Sequence, residues 1–214
     1  MSDEPVTDAA DRDEERDREL EVQRRERREA ALAHVVKWGD PVLKSRASPV
    51  SSVGPELRSE VERMIAIMRD GLGVGLAATQ LGLLRRLLVF QAGPDSEPTA
   101  LVNPEIEWTS DELALAEEGC LSLPRVTMDV ERPLYVRVSA RDAEGERIAI
   151  EAAGLEARVL QHEIDHLDGV LILDRTTRSQ RKGALRALRE GGSYSPEEPE
   201  PAADGELREP RTEA

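Results

Sequence analysis

The sequence predicts one domain built from both helices and short strands, and three observations predict it. Residues 51–70 repeat apolar side chains at the 3.6-residue spacing of a helix. Short apolar or alternating stretches between residues 87 and 151 have the length and period of strands, and the last two flank a glycine turn. A second helix follows, carrying Gln161-His162-Glu163-Ile164-Asp165-His166 between two apolar runs.

The composition sets the limits. With 214 residues the chain holds one domain of about 140 to 170 residues plus tails. Apolar residues make up 39% but aromatic ones only 2%, so the core must be aliphatic. A formal charge of -15 argues against nonspecific binding to nucleic acid by the whole molecule, and no direct DNA binding is expected. Cys120 is the only cysteine, which excludes an intramolecular disulfide and points to a reducing compartment. The opening Met-Ser-Asp-Glu has no apolar signal region, and no stretch approaches the length of a membrane span. A cytoplasmic protein without membrane contact is expected.

Residues 1–33 hold twelve acidic and seven basic side chains and almost nothing to form a core. They read as a disordered extension or a solvated helix with Glu-Arg pairs. The domain begins near His34, and residues 34–175 are expected to form it. Asp40-Pro41 marks a turn. A helix over Ser51–Asp70 places Pro55 in its first turn and turns Leu57, Val61, Met64, Ile65 and Met68 to the core.

Gly71-Leu72-Gly73-Val74-Gly75-Leu76-Ala77-Ala78-Thr79-Gln80 alternates glycines before two alanines, a backbone that something approaches closely. A phosphate loop fails here, because no Lys-Ser/Thr follows and the preceding element is helical. Gln80 offers a neutral donor suited to an oxyanion. Strands are expected at 87–90, 100–102 and 106–108, the last two separated by Asn103-Pro104, and a hairpin at 134–140 and 147–151. Residues 176–190 carry five cationic side chains against the single Glu190 and read as a basic helix. Residues 191–214 read as a disordered acidic tail.

The chemistry centres on residues 161–166. On a helix His162 and His166 lie about 40° apart, one turn from each other, so two imidazoles reach one metal ion. Glu163 lies about 60° from His166, able to touch a water there without being a ligand. This arrangement predicts metal-assisted hydrolysis. Cys120, as a thiolate, completes a Cys-His-His set that leaves a fourth position for water.

Taken together, Gly73–Gln80, Glu118-Gly119-Cys120-Leu121-Ser122 and Gln161–His166 resemble the three signature motifs of bacterial peptide deformylases, in order, with Asp40-Pro41-Val42-Leu43 resembling their N-terminal segment. The resemblance spans about residues 35–175. It implies an α+β fold of mixed and antiparallel strands packed around the histidine helix, and removal of the formyl group from the initiator methionine of nascent chains, releasing formate. By motif position it implies Cys120, His162 and His166 as metal ligands and Glu163 as the proton carrier. The oxyanion would be met by Gln80 and the Leu121 backbone N–H. Val74, Leu155 and Val159 would form the methionine pocket over His162, with Gly75 pairing the peptide backbone in strand fashion. The cofactor would be one divalent ion, Fe2+ by family habit, with Zn2+, Ni2+ or Co2+ fitting the same ligands. The basic segment 178–189 resembles a C-terminal helix of some relatives and suggests docking on the ribosome.

Four details depart from the family or go beyond it. Leu72 stands where many relatives have proline, and Thr127 where some have arginine. Arg158 is expected to line the pocket with its stem and keep its head in solvent. Asp165 is expected to pair with an arginine such as Arg132. Two rivals remain: a zinc peptidase whose third ligand is Glu190, and a non-enzymatic scaffold with a dead site.

Overall fold

The computed structural model describes residues 7–93 and 95–196, with side chains from residue 14 onward. In chain order its elements are α1 (Thr7–Ala33), α2 (Pro55–Asp70), β1 (Gly75–Ala77), β2 (Leu87–Phe90), β3 (Thr99–Thr109), β4 (Leu113–Cys120), β5 (Leu123–Pro133), β6 (Tyr135–Arg141), β7 (Arg147–Ala153), α3 (Gly154–Leu167), α4 (Ile172–Arg175) and α5 (Arg178–Glu190). Short 3-10 turns follow Asp40 and Ala77. Most of the acidic tail expected over 191–214 lies outside the described residues.

Five strands form one antiparallel sheet in the order β1-β2-β3-β6-β7, and β4 pairs with β5 in a separate antiparallel ribbon. Parallel pairing occurs only as isolated bridges, Ser48 with Arg85 and Val126 with Tyr194, among the described residues. Strand β2, paired between β1 and β3, is buried along its length, and its pleat sends alternate residues to opposite faces. Leu88 and Phe90 pack with Leu160, Ile164 and Leu167 of α3. Leu87 and Val89 pack with Leu57, Met64 and Met68 of α2. The sheet is thus held between two helices, and each fully buried Leu or Met contributes roughly 2 kcal/mol. A third cluster joins Met128 and Val130 of β5 to Leu171, Ile172 and Ala184.

Two expectations are corrected. Helix α2 starts at Pro55, four residues after the expected Ser51. Gly54 before it is extended, since a residue preceding proline is pushed out of the helical region, and Pro55 takes the first helical position. The stretches 100–102 and 106–108 belong to one strand, β3. Asn103-Pro104 makes a bulge there, with Asn103 at φ 54° and its amide bonded to both the Val50 N–H and the Val50 carbonyl, at 2.8 and 2.9 Å. The β4–β5 ribbon was not anticipated at all.

Helix α1 stands largely in solvent, with Ala31 buried and Leu32 packed against the α2 side of the core. None of the helices among the described residues is long and apolar enough to cross a membrane.

Candidate metal centre

Strand β4 and helix α3 meet at one point. Cys120 ends β4, where the ladder with β5 shifts register between Gly119 and Cys120. His162 and His166 project from consecutive turns of α3, their ring centroids 4.9 Å apart at an interplanar angle of 76°. The Cys120 sulfur lies 3.2 Å from His166 Nε2, and one donor atom from each of the three residues lies within 4.8 Å of the others.

The donors fit a divalent ion. One sulfur and two imidazole nitrogens form a set suited to zinc or iron. Burial would raise the Cys120 thiol, yet the charges and hydrogen bonds of His166 and His162 outweigh it and hold the thiol well below its ordinary value. A cysteine that gives up its proton readily is what a cation requires. His166 Nδ1 is buried and has no hydrogen-bond partner among the described residues. His162 Nδ1 is bonded to Glu118 Oε2 at 2.9 Å, which fixes the ring and turns Nε2 toward the site.

Glu118 is the residue the sequence reading left without a role. It lies two positions before Cys120 in β4, and side chains two apart share a strand face, which is the signal that would have found it. Arg132 holds its carboxylate through Nε at 2.6 Å and Nη2 at 3.0 Å, and Arg158 Nη1 adds a contact at 2.6 Å. Burial pushes the Glu118 carboxyl up, but His162 and Arg132 outweigh it and hold it at about 2. Arg132 also reaches Asp165 at 2.9 Å, and Arg175 bonds the same carboxylate. The head of Arg158 is therefore not in solvent. It also donates to the Val130 carbonyl at 2.8 Å and the Ala114 carbonyl at 2.6 Å, because the buried Glu118 charge and the backbone oxygens attract it more than water does.

Glu163 sits beside these three donors, 4% exposed, with Oε2 unpartnered among the described residues. Burial raises its carboxyl above the ordinary value, against the lowering effect of the two histidines. Its side chain rests against Gly75, where an added Cβ would come within 2.3 Å of Oε1. Of the glycine-rich stretch only Gly75 enters strand β1, and its close neighbour is this carboxylate, whereas Gly73 faces Leu121. Gln80 accepts a hydrogen bond from the Ala77 N–H through Oε1 at 2.8 Å, which points its amide nitrogen to Cys120 Sγ at 3.6 Å and Ser122 Oγ at 3.4 Å.

All of this opens on one groove of about 400 Å³. Val74, Gly75, Gln80, Cys120, Leu121, Leu155, Val159, His162 and Glu163 line it, and Thr127 and Leu72 lie along its walls. His166 sits beneath, 1% exposed. Val159 is 5% exposed and Leu155 56%, so the apolar wall runs from the floor to the mouth. Glu190 ends α5 and does not join the histidine cluster, which among the described residues is completed by Cys120.

A family model described as polypeptide deformylase matches residues 32–182. The peptide deformylase of Thermotoga neapolitana is 46% identical over 144 residues, covering 67% of this chain and 87% of that protein. That of a Parafrankia species is 42% identical over 164 residues, covering 77% and 88%. Among solved structures, the Synechococcus elongatus peptide deformylase in complex with actinonin superimposes with a TM-score of 0.69 at 40% identity, covering 74% of this chain and 88% of that one. The peptide deformylase from Ehrlichia chaffeensis gives 0.70 at 31% identity, covering 73% and 94%.

Proposed function

The chain belongs to the polypeptide deformylase family, and from that premise we propose that it removes the formyl group from N-formylmethionyl nascent peptides as a metal-dependent hydrolase, with Cys120, His162 and His166 holding the ion. The observation that carries this reading is the convergence of those three donors within 4.8 Å at the floor of the groove that also holds Glu163. A divalent ion bound by them supplies Lewis acidity and activation of water near neutral pH.

The remaining work falls to the chain's own residues. Glu163 accepts a proton from the water that attacks the formyl carbon and delivers one to the amine nitrogen as the C–N bond breaks, leaving formate and a free amino terminus. The Gln80 amide and the Leu121 backbone N–H donate to the oxygen that gains charge. Val74, Leu155 and Val159 receive the methionine side chain, whose burial contributes roughly 2 kcal/mol. The peptide extends along β1 and pairs with Gly75 in the manner of an added strand. Glu118 keeps the His162 ring oriented, while Arg132 and Arg158 keep Glu118 charged.

Fe2+ is the expected ion, with Zn2+, Ni2+ or Co2+ able to occupy the same ligands. A cytoplasmic setting follows from the substrate and suits a chain whose lone thiol must stay reduced. The exposed cations of α5, among them Lys182, Arg186 and Arg189, serve as the contact with the ribosome, since α5 turns Ala184 and Ala187 inward. Reversing those three charges should reduce cosedimentation with ribosomes, and unchanged cosedimentation would remove this contact. For the activity itself, protein purified without oxygen should contain one divalent ion per chain and release formate from formyl-Met-Ala. Cys120→Ala should lose both. Full metal content in that variant would refute the ligand assignment, and no formate from the metal-loaded protein would refute the activity.

A further inference from the structure

Helix α1 lies almost wholly outside the stretch matched by the family model, which begins at residue 32. Its last turns nonetheless border the substrate groove. Arg24, Arg25, Arg27 and Arg28 line a cleft against Arg69 and Asp70 at the end of α2, and the cleft's remaining wall is Leu72. Leu72 also lines the substrate groove. It is 74% exposed with φ 59°, so it forms the ridge between the two depressions.

We propose that this cleft receives acidic side chains of the peptide substrate downstream of the formylmethionine, so that the chain favours nascent peptides acidic from about their fourth residue. The inference rests on the reading of the groove given above. The formyl end must lie at Glu163, which touches Gly75; Leu76 and Ala77 on one side of Gly75 are fully buried while Val74 and Leu72 on the other are exposed, so the peptide leaves along Val74 and Gly73 toward Leu72. An extended chain advances about 3.3 Å per residue, and Gly75 to Leu72 is three residues. Residues from about the fourth onward therefore pass over Leu72 and arrive at the arginines.

The charges there are available for a partner. Arg24 and Arg28, one turn apart, have no carboxylate within ion-pair distance among the described residues. Arg25 meets Glu29 at only 3.9 Å in solvent, and Arg69 spends its Nε on Gln91 at 3.0 Å. The cleft is also a positive island on a chain of formal charge -15. That background repels a long polyanion but leaves a short acidic peptide already held in the groove free to reach the guanidinium groups.

The test is formate release from formyl-Met-Ala and from formyl-Met-Ala-Ser hexapeptides ending in three Glu, three Gln or three Lys, with wild type and Arg24→Gln/Arg28→Gln. For wild type at low salt the Glu peptide should show KM about fivefold below the Gln peptide, the size of one or two exposed ion pairs. The Lys peptide should lie above the Gln peptide, and kcat should be common to all three. Raising the salt should shrink the difference, and the double variant should abolish it while leaving formyl-Met-Ala unchanged. Equal KM values for the three hexapeptides, or a preference that survives in the variant, would overturn the proposal. Inhibition by short RNA, lost in the variant, without any peptide preference would overturn it in favour of a nucleic-acid surface. Formate from no peptide at all would instead reject the deformylase reading beneath it.

Discussion

Replacing Gly75 with alanine isolates the positioning of Glu163, the proposed proton carrier. The added Cβ would lie 2.3 Å from Glu163 Oε1 and 2.7 Å from both Cδ and Cγ, where ordinary contact needs more than 3.4 Å. The carboxylate must retreat by about 1 Å, and at 4% exposure it has little room to do so along a harmless path. A displacement of about 1 Å in a catalytic group costs roughly 100-fold in rate, against a ceiling of about 10⁴-fold for losing general acid–base catalysis altogether. Gly75→Ala should therefore lower kcat for formyl-Met-Ala about 100-fold, close to 2.7 kcal/mol of barrier. Metal content should not change, since no ligand is touched. The decisive comparison is a cycle with Glu163→Gln. If Gly75 acts through Glu163, adding Gly75→Ala to the glutamine variant should cost little further activity. A full second loss of about 100-fold in the double variant, or a single variant within threefold of wild type, would refute the reasoning.

Other outcomes follow from the same contacts. Glu118→Gln leaves Arg132 and Arg158 without their buried carboxylate, which should cost roughly 3–5 kcal/mol and lower Tm by about 10 °C in calorimetry at pH 7. Glu118 is held at about 2, below its unfolded value near 4.5, so the stability it contributes is complete above the unfolded value. That contribution is lost as pH falls from about 4.5 toward 2, and metal-free Glu118→Gln should show a flatter Tm profile across that window. Stripping the ion with a chelator should lower Tm by several degrees in wild type and leave Cys120→Ala unmoved, because only the folded site gains from binding. Gly183→Ala puts a Cβ 2.3 Å from Tyr194 Cε2, so it should loosen the 191–194 segment from β5. A Tm loss of about 4 °C with formate release intact is expected.

Much of the site was legible because its chemistry is local. His162 and His166 stand one turn apart on a single helix, and the glycines before Gln80 announce a close approach, though not that Glu163 is what meets Gly75. Cys120 was legible through the motif it stands in. What stayed hidden depends on pairing between distant residues. No strand is expected over Glu117-Glu118-Gly119, yet pairing with β5 makes it one and buries Glu118 between two arginines and a histidine. Arg158 looked like a solvent-seeking side chain for the same reason, since the carbonyls of Ala114 and Val130 that hold it come from that ribbon. Asn103-Pro104 looked like a break because a proline gives no ladder hydrogen bond, and only the grip of Asn103 on Val50 turns the break into a bulge. Ile67, 6% exposed, was passed over in the helix reading although it packs beside Met64 and Met68 in the core.

X-ray absorption at the edge of the bound metal, on protein purified without oxygen, bears most directly on the convergence of Cys120, His162 and His166. The arrangement predicts one sulfur scatterer at about 2.3 Å together with imidazole nitrogens at about 2.0 to 2.1 Å. A spectrum without sulfur, or one unchanged in Cys120→Ala, would contradict it.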